Sequence, residues 1–130
     1  MKLAISAAGK DRESRLDSRF GRCAYFVVCD TETGEVQAVP NEAGEAGGGA
    51  GIKAAQIVVG TGAGALVTGN IGPNALEVLQ RAGLKSYVAE GGKVEEIVEA
   101  FNSGRLREIT DPTTGHHGGL RGSGRGARSR

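Results

Sequence analysis

The spacing of apolar residues changes at Gly51, and that change restricts the folds open to this chain. Before Gly51 the apolar residues come in short extended runs. Lys2 to Ser6 reads as a strand with Leu3 and Ile5 on one face, followed by a polar loop through Arg19. Tyr25-Phe26-Val27-Val28-Cys29-Asp30 is a near-continuous run of strand formers, the pattern of a strand buried on both faces. Thr31 to Gly34 makes a turn with Gly34 in the left-handed position, and Glu35 to Pro40 supplies the second arm of a hairpin. Pro40 suits a strand end or a sheet edge.

After Gly51 the spacing is helical. Ile52, Ala55, Val58 and Val59 form one stripe, with Gly60 as its stop. Ala75, Leu76, Leu79 and Ala82 follow Pro73 and end at Gly83, and Val94, Ile97, Val98 and Phe101 end at Gly104. Ala65 to Thr68 and Ser86 to Ala89 read as short strands between these helices. Leu106 to Ile109 is expected to dock against the body. The element order is βββαβαβα, which implies an α/β fold with helices packed on a mixed sheet. Right-handed crossovers make the later strands parallel to the first. Residues 1–110 are expected to form one domain, and residues 111–130 a disordered Gly/Arg-rich tail.

Charge is unevenly placed. The net charge is +1, but Arg121, Arg125, Arg128 and Arg130 sit against Asp111 alone in the last twenty residues, leaving the body slightly acidic. A basic nucleic-acid-binding domain is excluded, and only weak tail contact with nucleic acid stays open. His116-His117 in the same tail is either a weak metal grip or part of a solvated segment. No apolar run is long enough to span a bilayer, and Met1 to Arg12 lacks a signal-peptide core, so a cytoplasmic, membrane-free protein is expected. Cys23 and Cys29 lie about 20 Å apart if both are on one extended segment, too far for a disulfide or a shared metal. Cys29 belongs to the core.

Motifs of common enzymes are missing. There is no phosphate-binding G-x-x-x-x-G-K-[ST], no G-x-G-x-x-G, and no carboxylate on the first strand for a two-metal site. Both histidines lie in the tail, away from any serine-hydrolase arrangement. A non-enzyme is expected. Positive features concentrate at loops. Glycine makes up 23 of 130 residues, against an ordinary share of about 7%. Gly47 to Gly51 opens one helix and Gly69-Asn70-Ile71-Gly72-Pro73-Asn74 opens another. Helix N-termini carry unpaired N–H groups and partial positive charge, so each is an anion-site candidate, with tight turns as the alternative reading. In Ser18-Arg19-Phe20-Gly21-Arg22-Cys23 two arginines flank Phe-Gly beside a thiol. Arginine forks suit oxyanions, and a thiol near cations can ionise to a soft-metal ligand, with a small buried residue as the alternative for Cys23.

Three segments occur in one order: Ser18-Arg19-Phe20-Gly21-Arg22-Cys23-Ala24-Tyr25-Phe26, Gly48-Gly49-Ala50-Gly51 and Gly72-Pro73-Asn74-Ala75. Together they make residues 1–110 resemble the dinitrogenase iron-molybdenum cofactor biosynthesis family, here of the small stand-alone accessory type of archaea and anaerobic bacteria. The resemblance implies a three-layer ribonuclease-H-like motif with a central mixed five-stranded sheet in order 3-2-1-4-5. It also implies a non-catalytic carrier. Family members bind iron–molybdenum cofactor or its precursors, and a relative holds a molybdenum–copper sulfide cluster. Nitrogenase-associated members often have histidine before Phe-Gly, where this chain has Arg19.

The residues expected to hold such an anion are Arg19, Arg22, Cys23, Gly49, Gly51, Lys53, Gly69, Asn70, Gly72 and Asn74, with Cys23 as the metal-ligand candidate. Lys53 contributes only if it faces the crevice. The partners implied are metal–sulfur cluster donor and acceptor proteins, met by a monomer or weak dimer. The alternative function is a metal-free sensor of a small anionic metabolite or an interaction scaffold.

Overall fold

A computed structural model describes residues 1–45 and 49–113. The six strands are β1 (Lys2–Ala7), β2 (Tyr25–Asp30), β3 (Val36–Pro40), β4 (Ala65–Thr68), β5 (Lys85–Val88) and β6 (Arg107–Ile109). Three α-helices alternate with the later strands: α1 (Ala50–Gly60), α2 (Pro73–Arg81) and α3 (Val94–Asn102). Short 3-10 turns occupy Phe20–Arg22 and Glu42–Glu45.

The sheet runs in the order β3-β2-β1-β4-β5-β6. β1 pairs antiparallel with β2 and parallel with β4, and β4 pairs parallel with β5. The apolar run of β2 is flanked on both sides, which is why Phe26 and Val27 are fully buried. Each such side chain contributes roughly 1.5–3 kcal/mol of burial.

Alternation along the strands builds two cores. Ala4, Phe26, Val28 and Leu66 face α1 and α2, where Ala54, Val58, Leu76 and Leu79 pack. Leu3, Ile5, Val27 and Val67 face the opposite way, toward Val94 and Ile97 of α3. The result is three layers, helix–sheet–helix.

Two expectations are corrected. The sheet has six strands, not five: β6 pairs antiparallel with β5, setting Ile109 opposite Ser86 and burying it. Without β6 the outer edge of β5 would leave a row of backbone groups unpaired. At the end of α1, Gly60 is still helical and the stop lies at Thr61-Gly62. Gly62 takes φ 81°, and the Thr61 hydroxyl donates to the Val58 carbonyl at 2.6 Å. Among the described residues no helix is long and apolar enough to cross a membrane. His116-His117 and the arginines from Arg121 onward fall outside the described residues.

Candidate functional site

The connections leave β1 and β4 in opposite directions along the sheet, and the carboxyl ends of these two strands form a topological switch point where open α/β sheets bind ligands. A polar clasp ties the strand ends to the loop after β1. The Ser6 hydroxyl donates to the Asp17 carbonyl at 2.7 Å and meets Thr68 Oγ1 at 2.8 Å. A hydroxyl has one proton, so Thr68 is the donor in the second bond. Asp17 N–H returns to the Ser6 carbonyl at 2.9 Å. The loop after β1 then zips onto the loop after β4. Asn70 N–H donates to the Ser18 carbonyl at 2.7 Å, and Phe20 N–H to the Asn70 carbonyl at 3.3 Å. Gly69 permits this approach, because a Cβ there would lie 2.6 Å from Ser18 Cβ and 2.7 Å from Ser18 Cα.

A cleft of about 460 Å³ is walled by Arg19 to Gly21, Gly49 to Ile52 and Asn70 to Ala75. The N-termini of α1 and α2 both open into it. Gly49 is the N-cap of α1 at φ 72°, a left-handed conformation that L side chains rarely adopt. Gly72 is the N-cap of α2, with Pro73 following in the first turn. Neither cap makes a side-chain hydrogen bond, and neither first turn holds an acidic residue.

The first intrahelical donor of α1 is Lys53 N–H, to the Gly49 carbonyl at 3.0 Å, and that of α2 is Leu76 N–H, to the Gly72 carbonyl at 3.1 Å. The amides of Ala50, Gly51, Ile52, Asn74 and Ala75 therefore have no partner within their own helices, and all five residues line the cleft. The two helices pack closely here: a Cβ at Gly51 would lie 3.4 Å from Ala75 Cβ, ordinary contact distance.

Arg19 stands at the rim, with its side chain 68% exposed. Asp17 Oδ1 accepts from Arg19 N–H at 3.0 Å and Nε at 3.1 Å, and Oδ2 accepts from Nη2 at 3.0 Å. These bonds hold the Asp17 carboxyl below its ordinary range. Only two of the five guanidinium N–H groups are engaged in this fork, which leaves the others to meet an anion.

Of the residues expected from the sequence, Arg19, Gly49, Gly51, Asn70, Gly72 and Asn74 are gathered at the cleft. Arg22, Cys23, Lys53 and Gly69 are not among its walls. Arg22 and Lys53 are exposed elsewhere on the surface. Cys23 had two readings, an ionised ligand or a small buried residue. Its side chain is buried and its thiol donates to the Phe20 carbonyl at 3.5 Å. Burial, followed by the charge of Asp17, pushes the thiol up to about 12. Of the two readings left open for Cys23, this burial favours the small packed residue over the ionised soft-metal ligand.

Three contributors escaped the sequence reading. Asp17 orients Arg19. Asn41 Nδ2 donates to the Cys23 carbonyl at 2.9 Å and the Gly21 carbonyl at 3.3 Å, bracing the loop from beneath. Thr113 holds the wall residue Ile71. Only Asp17 had a sequence signal, its i,i+2 spacing to Arg19.

Known proteins agree with this architecture. The apo orange protein of Desulfovibrio gigas superposes with a TM-score of 0.84 at 36% identity, covering 87% of this chain and 96% of that one. A Thermotoga protein described as a candidate NifB protein gives 0.76 at 43% identity, covering 87% and 97%. An uncharacterized protein of Methanocaldococcus jannaschii is 31% identical over 99 residues, covering 74% of this chain and 84% of that protein. Residues 1–104 match the family described as dinitrogenase iron-molybdenum cofactor. With its cleft, its sheet order and a match over most of its length, the chain belongs to the dinitrogenase iron–molybdenum cofactor family.

Proposed function

We propose that this protein is a non-catalytic carrier of an anionic metal–sulfur cluster, of iron–molybdenum-cofactor type or a precursor, in metallocofactor assembly. One observation carries the reading: two helix N-termini without side-chain caps or first-turn acids open into one cleft beside Arg19. Each helix end presents roughly half a positive charge, and two converging ends favour an anion over a neutral ligand.

The donor set fits such a cargo. Backbone amides and the Arg19 fork suit sulfides or oxo groups around a cluster, and Asn70 and Asn74 add amides at the rim. Gly49, Gly51 and Gly72 bring the backbone close, whereas Gly69 acts by allowing the loops to zip together. Arg22 and Lys53 contribute only longer-range positive charge, and Cys23 packs rather than ligates. The ribonuclease-H-like assignment belongs to the same reading, supported by the 3-2-1-4-5 order of the first five strands. The partners are cluster donor and acceptor proteins of the cytoplasm.

The test is anaerobic titration of the full chain with tetrathiomolybdate, a molybdenum–sulfur dianion, read by visible absorption and by metal analysis after gel filtration. The reading predicts stoichiometric co-elution. A charge-assisted hydrogen bond is worth about 1.5–3 kcal/mol, so Arg19→Ala should weaken binding by about tenfold or more. Failure to retain molybdenum overturns the carrier. Stabilisation by phosphate or a small carboxylate in metal-free buffer, without thiomolybdate binding, identifies a metabolite sensor instead.

A further inference from the structure

Two cations face each other outside the cleft. Arg15, in the loop after β1, pairs antiparallel with Lys93, the N-cap of α3, in an isolated bridge. The flanking backbone bonds are Leu16 N–H to the Gly92 carbonyl and Val94 N–H to the Ser14 carbonyl, both at 2.9 Å. Arg15 and Lys93 are thus a non-hydrogen-bonded pair, in which the Cα atoms lie about 4.5 Å apart and the side chains leave side by side on one face. Leu16 and Val94, each one residue further on, pack into the core on the α3 side. Alternation therefore turns Arg15 and Lys93 toward solvent, and Arg15 is exposed and Lys93 partly so.

Like charges directly opposite across a ribbon are destabilising. Among the described residues neither Arg15 nor Lys93 forms an ion pair. Glu96 Oε1 accepts from the Lys93 N–H at 2.8 Å, so this nearby carboxylate leaves the ammonium without an ionic partner. The fold carries a repulsion on its surface that negative charge from another molecule would relieve. Its place is close to the cargo cleft. Arg19, at the cleft rim, follows Arg15 by four residues, a span of at most about 14 Å. The loop between them crosses the end of β1, where Asp17 N–H donates to the Ser6 carbonyl.

We propose that the Arg15–Lys93 ribbon docks an acidic segment of a protein partner, held through its Asp or Glu carboxylates. That this partner delivers or receives the cargo rests on the carrier reading above. The pair is not among the cleft walls and projects from a ribbon. It suits carboxylates presented by another protein surface, whereas a small free anion is retained in a concave site. Exposed acids border the ribbon: Glu13 on the same loop, Glu90 before Gly91, and Glu95 and Glu96 on α3. They confine the positive patch to the pair and repel a long polyanion such as nucleic acid, while one or two carboxylates in register are accepted.

The probe is acetylated and amidated hexaglutamate, titrated into the full chain at low ionic strength and followed by amide NMR. Saturable shifts are expected at Ser14 to Leu16 and at Gly92 to Val94. An exposed charge pair is worth up to about 1 kcal/mol, so Arg15→Gln and Lys93→Gln should each weaken the peptide about threefold, and the double variant about tenfold. Each single variant should also raise the urea midpoint of the free protein, and the gain from Lys93→Gln should shrink in the Arg15→Gln background. Weaker docking together with higher stability is a pattern that a structural role would not produce.

Unchanged peptide affinity in both single variants overturns the proposal, as does a fall in the urea midpoint of both. Tighter binding of inorganic phosphate, or of a single-stranded oligonucleotide, at the same residues overturns the acidic-protein partner. Tetrathiomolybdate titration of the same samples tests the carrier separately. A wild-type chain that binds tetrathiomolybdate but not hexaglutamate loses the docking surface and keeps the carrier. One that binds hexaglutamate alone keeps the docking surface and overturns its part in cargo exchange.

Discussion

Replacing Gly69 with alanine tests whether the two loops that build the cleft are held together as described. The new Cβ would sit 2.6 Å from Ser18 Cβ and 2.7 Å from Ser18 Cα. The second of these is a main-chain atom, so no rotamer change relieves the clash. Ser18 must retreat, which breaks or stretches the Asn70 N–H bond to the Ser18 carbonyl and the Phe20 N–H bond to the Asn70 carbonyl. Two such bonds contribute about 1 kcal/mol each, and the overpacking adds about 1–3 kcal/mol, for a loss of roughly 3–5 kcal/mol.

Urea unfolding followed by far-UV circular dichroism measures this loss. Gly60→Ala is the matched control, because nothing lies within 4 Å of its Cβ and its backbone is helical. It should be neutral or stabilise by about 0.5–1 kcal/mol. A loss below about 1 kcal/mol for Gly69→Ala would refute the close loop-to-loop approach on which the cleft depends.

Cys23 makes a second prediction. Its pKa is raised from 9.0 in the unfolded chain to about 12 in the fold. The stability this contributes is whole below pH 9 and is lost as pH rises toward 12. Urea midpoints across that range should fall, with a shallower fall in Cys23→Ala, and an identical slope in both proteins would contradict the assignment. Ser86, buried on β5, leaves its hydroxyl oxygen without a hydrogen-bond partner. Ser86→Ala should therefore be neutral or stabilise by about 1 kcal/mol, and a loss above 1 kcal/mol would reveal a partner that these contacts omit.

What the sequence disclosed follows from the range of each signal. The six-residue apolar run of β2 and the helical stripes of α2 and α3 are local patterns, and they mark elements close to those observed. β6 has three residues, two of them exposed and charged, so it carries no apolar period and becomes a strand only through the free edge of β5. At the cleft, the glycine and proline positions that open α1 and α2 are local, and both helix ends were legible. For Cys23 the sequence left two states open, an ionised ligand and a small buried residue. Two neighbouring arginines suggested ionisation, but Arg19 is committed to Asp17, and burial dominates in a pocket shared with Asn41. The Thr113 anchor joins residues 42 positions apart and has no local trace.

The most direct test of the anion cleft is amide NMR of the full chain during anaerobic titration with tetrathiomolybdate. The account predicts saturable shifts at Gly51, Ile52, Asn74 and Ala75, which line the cleft in the first turns of α1 and α2, with little change in β2 or α3. Absent shifts, or shifts confined to other surfaces, would contradict it.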